Sequence, residues 1–198
     1  MNLFTTIAMA MGASWVSGIN LYASVATLGL LSRFAGLRLP GELTVLSSWW
    51  IIGIAVALYI VEFVADKVPW VDSAWDVVHT FIRVPAGAVL AAAAFGDFDM
   101  GVQVVAFLLG GGLAFSSHGT KAATRAVLNV SPEPVTNILA SIVEDVIAVS
   151  SILLAAFFPL LLFVVVGIGL VISLLVLPRT FRYFRSGWRR LRGKPATA

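Results

Sequence analysis

The sequence predicts an all-α integral membrane protein, and three observations support that prediction. The 198 residues are 60% hydrophobic, the mean hydropathy is +0.99, and only 12% of the residues are charged. A soluble domain has about 25% charged and 45–50% apolar residues, and a chain this short cannot bury the excess. The apolar runs are continuous rather than alternating, which indicates helices and not barrel strands. Soluble enzymes, disordered chains and disulfide scaffolds are therefore excluded.

Six segments are long and apolar enough to cross a hydrocarbon core of about 30 Å, for which a helix needs about 20 residues. We expect one transmembrane domain over residues 1–178, followed by a basic cytoplasmic tail over residues 179–198. The tail holds seven of the 13 Lys and Arg residues, and we assign it to membrane lipids rather than to nucleic acid. The expected spans are residues 3–31, 48–66, 71–95, 100–118, 135–157 and 160–177.

Two of these spans are predicted to be broken or interrupted by proline. The first is too long for one straight crossing, and it contains Gly12, Gly18 and Asn20, which have low helix propensity. The fifth is preceded by Ser131-Pro132-Glu133-Pro134, whose prolines end one helix and begin another. We therefore expect residues 119–129 to form a short amphipathic helix or a re-entrant piece.

The basic residues predict the orientation. With the tail inside, Lys67, Lys121 and Arg125 fall on the cytoplasmic side, and the acidic turn of residues 97–99 falls outside. Only Arg33 and Arg38 disagree. By the positive-inside rule, this distribution favours a protein with both termini in the cytoplasm.

The third span carries a polar stripe. Asp72, Asp76, His79 and Arg83 follow one another at i, i+4, i+7 and i+11, which places them on one helix face. An ionisable group deep in the bilayer is costly, and it normally faces the bundle interior or a watery cavity. We interpret the stripe as the lining of a functional cavity, with a structural ion-pair network as the alternative.

Similar polar spacings occur in two other spans. Glu62 and Asp66 are four residues apart near the end of the second span, and the fifth span has Asn137, Ser141 and Glu144 at i, i+4 and i+7. The stripes of the third and fifth spans align with each other, which predicts an internal repeat of residues 49–95 and 100–157. Repeats with broken helices are typical of small transporters. The run of residues 110–112, all glycine, indicates close helix packing or a hinge.

The sequence lacks the motifs of several kinds of catalytic and metal sites. The chain has no cysteine, and it contains neither HExxH nor GxSxG. With only His79 and His118, a zinc site of three histidines is excluded, although two histidines with Glu62 or Glu144 remain an alternative. We expect no catalytic residue, no bound metal and no cofactor, and we regard the protein as more consistent with a non-enzyme.

A set of motifs resembles a family of small bacterial multi-pass proteins known only as a domain of unknown function. The resemblance spans residues 18–157 and implies an inner-membrane protein, but it brings no activity with it. The segment Glu62-x-x-x-Asp66-Lys67 is also similar to the Glu-x-Gly-Asp-Lys motif of small cation/proton exchangers, with one extra residue and with Ala65 in place of glycine. The family motifs are Gly18-Ile-Asn20-Leu-Tyr22, residues 62–69, Asp72 with His79 and Arg83, and residues 131–134 with Asn137 and Ser141.

These residues lead to the hypothesis of a small proton-coupled transporter for a small or lipid-linked, anionic substrate. Arginine and lysine would engage the anion, and buried carboxyl groups or histidine would carry the proton. Because six spans are few for a transporter, we expect a homodimer. The alternatives are a structural or assembly protein and an intramembrane enzyme acting on a lipid or isoprenoid phosphate. The expected substrate-binding residues are Asn20, Asp66, Asp76, Arg83, Lys121, Arg125 and Asn137, and the expected proton-coupling residues are Glu62, His79 and Glu144.

Overall fold

The computed structural model describes residues 2–128 and 134–192, and every regular element in that part of the chain is helical. Five helices are long and apolar enough to cross a membrane, or six if a 3₁₀ helix and α2, which meet at 73°, count as one span. The predicted all-α multi-pass fold is confirmed. The elements are α1 (Leu3–Phe34), the 3₁₀ helix (Gly41–Ser47), α2 (Trp49–Ala65), α3 (Pro69–Ala94), α4 (Met100–Leu128), α5 (Pro134–Phe157) and α6 (Pro159–Arg192).

Helix α1 is the centre of the bundle, and it reverses direction. It contacts every other helix, and 72% of its most apolar stretch is buried, against 17–39% in the other four candidate spans. Asn20 has non-helical angles, with φ −150° and ψ 97°. Ser24 Oγ lies 3.5 Å from the carbonyl oxygen of Ala13, eleven residues earlier. Along a straight helix these residues would be about 16 Å apart, so the chain turns back at Asn20.

The two halves of α1 therefore lie side by side, as a re-entrant hairpin with Asn20 at its tip. Ser14 in the first half donates to the carbonyl oxygen of Gly87 in α3 at 2.9 Å. Val25 in the second half borders the same cavity as Ala86 and Val89, which belong to the same turn of α3. The predicted break of the first span is confirmed, and the structure adds that residues 3–19 and 21–34 form two half-helices of about 25 Å and 20 Å.

The two chain ends lie at opposite ends of the bundle. Phe4 packs against Phe163, just after the start of α6, with ring centroids 5.2 Å apart. Helix α6 then continues to Arg192 at the far end. We call the end of the bundle that holds Phe4 and residues 95–99 the hairpin end. We call the opposite end, which holds Arg192 and residues 66–68, the tail end. The reversal at Asn20 removes one of the crossings on which the expectation of both termini in the cytoplasm rested, and the side that each terminus faces stays a prediction.

The expected break near residues 119–129 is wrong. Helix α4 runs without interruption to Leu128, because Lys121, Ala123 and Arg125 point into the bundle and are buried there. Lys121 and Arg125 are thus interior side chains rather than the loop charges assumed for the orientation. The re-entrant piece of the molecule is α1 instead. Residues 131–133 of the proline motif lie outside the described residues, as do residues 193–198 of the tail, whose earlier part continues α6.

The three consecutive glycines of α4 have different surroundings. A Cβ on Gly110 would lie 2.9 Å from both the Gly87 carbonyl oxygen and Ser14 Oγ, whereas a Cβ on Gly112 would meet nothing within 4 Å. We expect Gly110→Ala to lower the free energy of unfolding by about 1–3 kcal/mol. Gly112→Ala should leave it unchanged or raise it by up to about 1 kcal/mol. Thermal unfolding in detergent compares the two variants, and equal stabilities would contradict close packing at Gly110.

Candidate functional site

A cluster of buried charged side chains lies around the tip of the hairpin, and Arg83 of α3 is its most buried member. The Arg83 guanidinium donates to Glu62 of α2 at 2.8 Å and to Asp76, two turns earlier on α3, at 2.9 Å. The Arg83 and Glu62 side chains have no solvent exposure. Because the backbone carbonyl of Arg83 accepts from Ser17 at 2.8 Å, this ion pair is fixed directly to the hairpin.

Lys121 of α4 joins the cluster to four other helices. Its ammonium lies 3.1 Å from Asp66 Oδ2, 3.4 Å from Glu144 Oε2 and 3.9 Å from Asp76 Oδ1. It also donates to the carbonyl oxygen of Ile19 at 3.2 Å, at the end of the first half-helix. A helix C-terminus carries partial negative charge, which favours a cation there. Lys121 is therefore the point at which α1 to α5 meet.

Arg125 lies one turn further along α4 and holds α5. Its Nε and Nη2 atoms donate to the two carboxylate oxygens of Glu144 at 3.0 and 2.7 Å, the bidentate geometry of a strong charge-assisted pair. Its Nη1 atom donates to the Asn137 side chain at 2.6 Å. Asn137 in turn donates to the backbone carbonyl of Asp66 at 2.9 Å. Arg125 thus connects α4 and α5 to the end of α2.

The tip of the hairpin is held by polar groups of α4 and α5. Asn20 Oδ1 accepts from the backbone N–H of Ala23 at 2.8 Å, so Asn20 caps the second half-helix. Its Nδ2 atom donates to Asp145 Oδ1 at 3.0 Å. Gly18 packs directly on α4, where a Cβ would collide with Ser117 and with the backbone of Ala114. The break in α1 therefore places a side-chain amide among the buried charges.

The histidine side of the cluster faces the second half-helix. His79 Nδ1 donates to the carbonyl oxygen of Trp75 at 2.9 Å, and its Nε2 atom lies 3.1 Å from the Tyr22 hydroxyl oxygen. His118 of α4 lies 2.7 Å from Thr80 Oγ1 and 3.4 Å from the Arg83 guanidinium. The two rings flank Arg83 on different helices.

Lys67 lies at the margin of the cluster, in the connection between α2 and α3. Its ammonium donates to the carbonyl oxygen of Phe63 at 2.8 Å and contacts Ser141 at 3.4 Å. Partial burial lowers the pKa of Lys67.

Several buried polar atoms of the cluster have no hydrogen-bond partner among the described residues. Four are the second oxygens of carboxyl groups, and two are nitrogen atoms. The atoms are Glu62 Oε2, Asp66 Oδ1, Asp76 Oδ2, Asp145 Oδ2, Arg83 Nε and Trp75 Nε1. The described residues contain no group of three or more acidic or histidine side chains suited to a metal ion.

The structure brings the ten predicted site residues into this one region, although it does not test their roles. Asp72, the first member of the predicted stripe, has a side chain outside the described part of the chain. Asp145, His118 and Tyr22 also lie in the cluster, although none of them was among the expected substrate-binding or proton-coupling residues. Asp145 follows Glu144 directly and so lies on the same stripe at i+8, which was the available signal. The ten residues are Asn20, Glu62, Asp66, Asp76, His79, Arg83, Lys121, Arg125, Asn137 and Glu144.

Comparison with known proteins identifies the family. The chain belongs to the family described as "Domain of unknown function (DUF4126)", whose model matches residues 7–179. The resemblance noted from the sequence motifs is thereby confirmed. No curated protein and no solved structure matches the chain.

Proposed function

We propose that this member of the DUF4126 family is a small transporter that couples proton movement to an anionic substrate. The observation that supports it is the cluster of buried ion pairs at the break of α1. Broken helices with half-helix ends pointing at ions near the membrane centre are a feature of transporter sites. Buried ionisable groups within a membrane are costly, which favours a functional reason for keeping them.

The ion pairs suggest how coupling works. Arg83, Lys121 and Arg125 are all bound by carboxylates, so an anion must displace a carboxylate to reach them. Protonation of Glu62 would neutralise one partner of Arg83 and leave its guanidinium able to bind the anion. The proton and the anion then enter together, because binding both adds no net charge to the pocket. Release of the anion allows the carboxylate to lose its proton and pair again.

The charge distribution supports an orientation in the bacterial inner membrane. The tail end carries Lys67, Arg179 and Arg182, whereas the hairpin end carries the acidic Asp97 and Asp99 beside Arg33 and Arg38. By the positive-inside rule, we place the tail end in the cytoplasm and the hairpin end outside. The homodimer and the internal repeat remain parts of the proposal, and a repeat would be parallel because α2 and α4 run in the same direction.

A flux measurement tests the proposal. Purified protein is reconstituted in liposomes containing a pH-sensitive dye, and inorganic phosphate, pyrophosphate or an alkyl phosphate is added outside. We expect one of these anions to acidify the interior only when wild-type protein is present. Glu62→Gln imitates the protonated carboxyl group, so it should keep anion exchange and abolish the acidification.

The control for that measurement is Glu42→Gln, which changes an exposed carboxylate on the 3₁₀ helix and should behave as wild type. Failure of the wild-type protein to move protons with any of the three anions would contradict the proposal. It would favour the alternative of an assembly protein. Each of the three buried cations forms an ion pair with a carboxylate, which supports that alternative, since ion pairs of this kind also hold helices together.

A further inference from the structure

The buried charges of the cluster do not balance. Among the described side chains, five carboxylates face the three buried cations Arg83, Lys121 and Arg125, with the half-buried Lys67 at the margin. An uncompensated charge in the interior is strongly unfavourable unless the group becomes neutral. The cluster therefore needs at least one more positive charge than its described side chains supply. The carboxylates are Glu62, Asp66, Asp76, Glu144 and Asp145.

Among the described residues, Asp145 is the one of these five carboxyl groups that forms no ion pair. Glu62, Asp66, Asp76 and Glu144 each form an ion pair with an arginine or a lysine. Among the described residues, Asp145 accepts one hydrogen bond, from the neutral Asn20 amide, and its Oδ2 atom is buried without a partner. Only 8% of Asp145 is exposed. A bare carboxylate in this position would carry an unneutralised charge.

The surroundings of Asp145 favour a proton as the missing charge. The titratable groups that face it are Tyr59 of α2, Asp66 and Lys67 at the α2–α3 connection, and Lys121 of α4. Neither lysine forms an ion pair with Asp145 in the described part of the chain, and Lys121 is occupied by Asp66 and Glu144. No metal-binding group exists among the described residues, whereas one proton on Oδ2 neutralises the carboxyl group.

We propose that Asp145 Oδ2 is a second proton-binding site of the cluster, beside the Glu62 carboxyl group of the proposed coupling, and that its occupancy is transmitted to Asn20 at the tip of the hairpin. With the proton bound, Oδ1 continues to accept from Asn20 Nδ2 and the group is neutral. Loss of the proton leaves a buried anion beside the tip, which attracts Lys67 or Lys121 and so pulls on the ion pairs that Lys121 forms. This inference deepens the proposed transport function by naming a proton carrier that lies outside the ion pairs.

Infrared spectroscopy of the full-length protein in membranes tests the site without any flux measurement. A protonated carboxyl group gives a carboxylic C=O stretching band that a carboxylate lacks and that shifts in heavy water. We expect the wild type at neutral pH to show such a band and Asp145→Asn to lose the intensity of one carboxyl group. Asp97→Asn, which removes an exposed carboxylate at the hairpin end, should leave the band unchanged.

A second variant keeps the test decisive if Asp145→Asn does not fold. In Asn20→Asp/Asp145→Asn the amide and the carboxyl group exchange places across the same hydrogen bond. We expect this double variant to fold and to recover the band. An Asp145→Asn protein that retains the full band, or a folded double variant without it, would overturn the assignment. Because neither measurement involves transport, both outcomes are independent of whether the liposome flux succeeds.

Discussion

Replacement of Arg83 by alanine is expected to lower the free energy of unfolding by about 3–5 kcal/mol, the cost of breaking a buried ion pair by removing one partner. Glu62 and Asp76 both depend on the Arg83 guanidinium, at 2.8 and 2.9 Å. When it is removed, Glu62 stays buried without an ion pair among the described residues, and Asp76 keeps only its 3.9 Å contact with Lys121. Unfolding in mixed micelles of mild detergent and dodecyl sulfate, followed by circular dichroism, measures the loss.

Two further variants separate the charge effect from lost packing. Arg83→Gln/Glu62→Gln removes both charges of the closest pair and should recover most of the loss, because a matched neutral pair leaves no extra buried charge. Arg182→Ala removes an exposed arginine whose described contact is with the Pro178 carbonyl, and it should change stability by less than about 0.5 kcal/mol. An Arg83→Ala protein as stable as wild type would contradict the interior ion pair.

Single cysteines at Leu3 and at Ala35 are expected to react from the same side of the membrane. The reversal at Asn20 brings both ends of α1 to the hairpin end, whereas a straight α1 would put them on opposite sides. The natural chain has no cysteine, so each variant carries one reactive thiol. Labelling of intact cells with a membrane-impermeant maleimide measures the accessible side, and both positions should be labelled.

The control for this measurement is a cysteine at Arg182, an exposed residue of α6 at the tail end, on the opposite side of the membrane. Arg182→Cys should be labelled only after the cells are made permeable. Asp97→Cys, in the turn between α3 and α4, should be labelled in intact cells together with Leu3→Cys and Ala35→Cys. Labelling of Leu3→Cys and Ala35→Cys from different sides would contradict the hairpin.

Hydropathy predicted most of the helices, and the errors have a common cause. The predicted end of the fourth span at residue 118 comes from the polar residues that follow. Helix α4 continues because Lys121 and Arg125 pair with carboxylates inside the bundle. The reversal of α1 likewise depends on distant partners, since the tip is held by Ser117, Lys121 and Asp145. A window of sequence does not contain those contacts.

The helical spacing of polar residues predicted which residues form the cluster, but it did not predict which of them form ion pairs with each other. Positions i+4, i+7 and i+11, counted from Asp72, correctly placed Asp76, His79 and Arg83 on one buried face. Periodicity fixes which residues share a face, but it does not say which neighbouring helix that face meets. The pairing of Arg83 with Glu62 therefore needed the structure. Asp145 was missed because Glu144 fits the same stripe and was chosen in its place.

The hairpin also has a consequence for how the chain is made. Its backbone is interrupted at Asn20, and polar backbone groups at membrane depth need partners from the protein. Those partners come from α4, where Ser117 and Lys121 donate to the backbone carbonyls of Trp15 and Ile19, each 102 residues earlier. Asp145 of α5 accepts from the side-chain amide of Asn20, 125 residues earlier. The hairpin is thus synthesised before the helices that complete its hydrogen bonds. Until α4 and α5 have been synthesised, these hydrogen bonds of the hairpin cannot form.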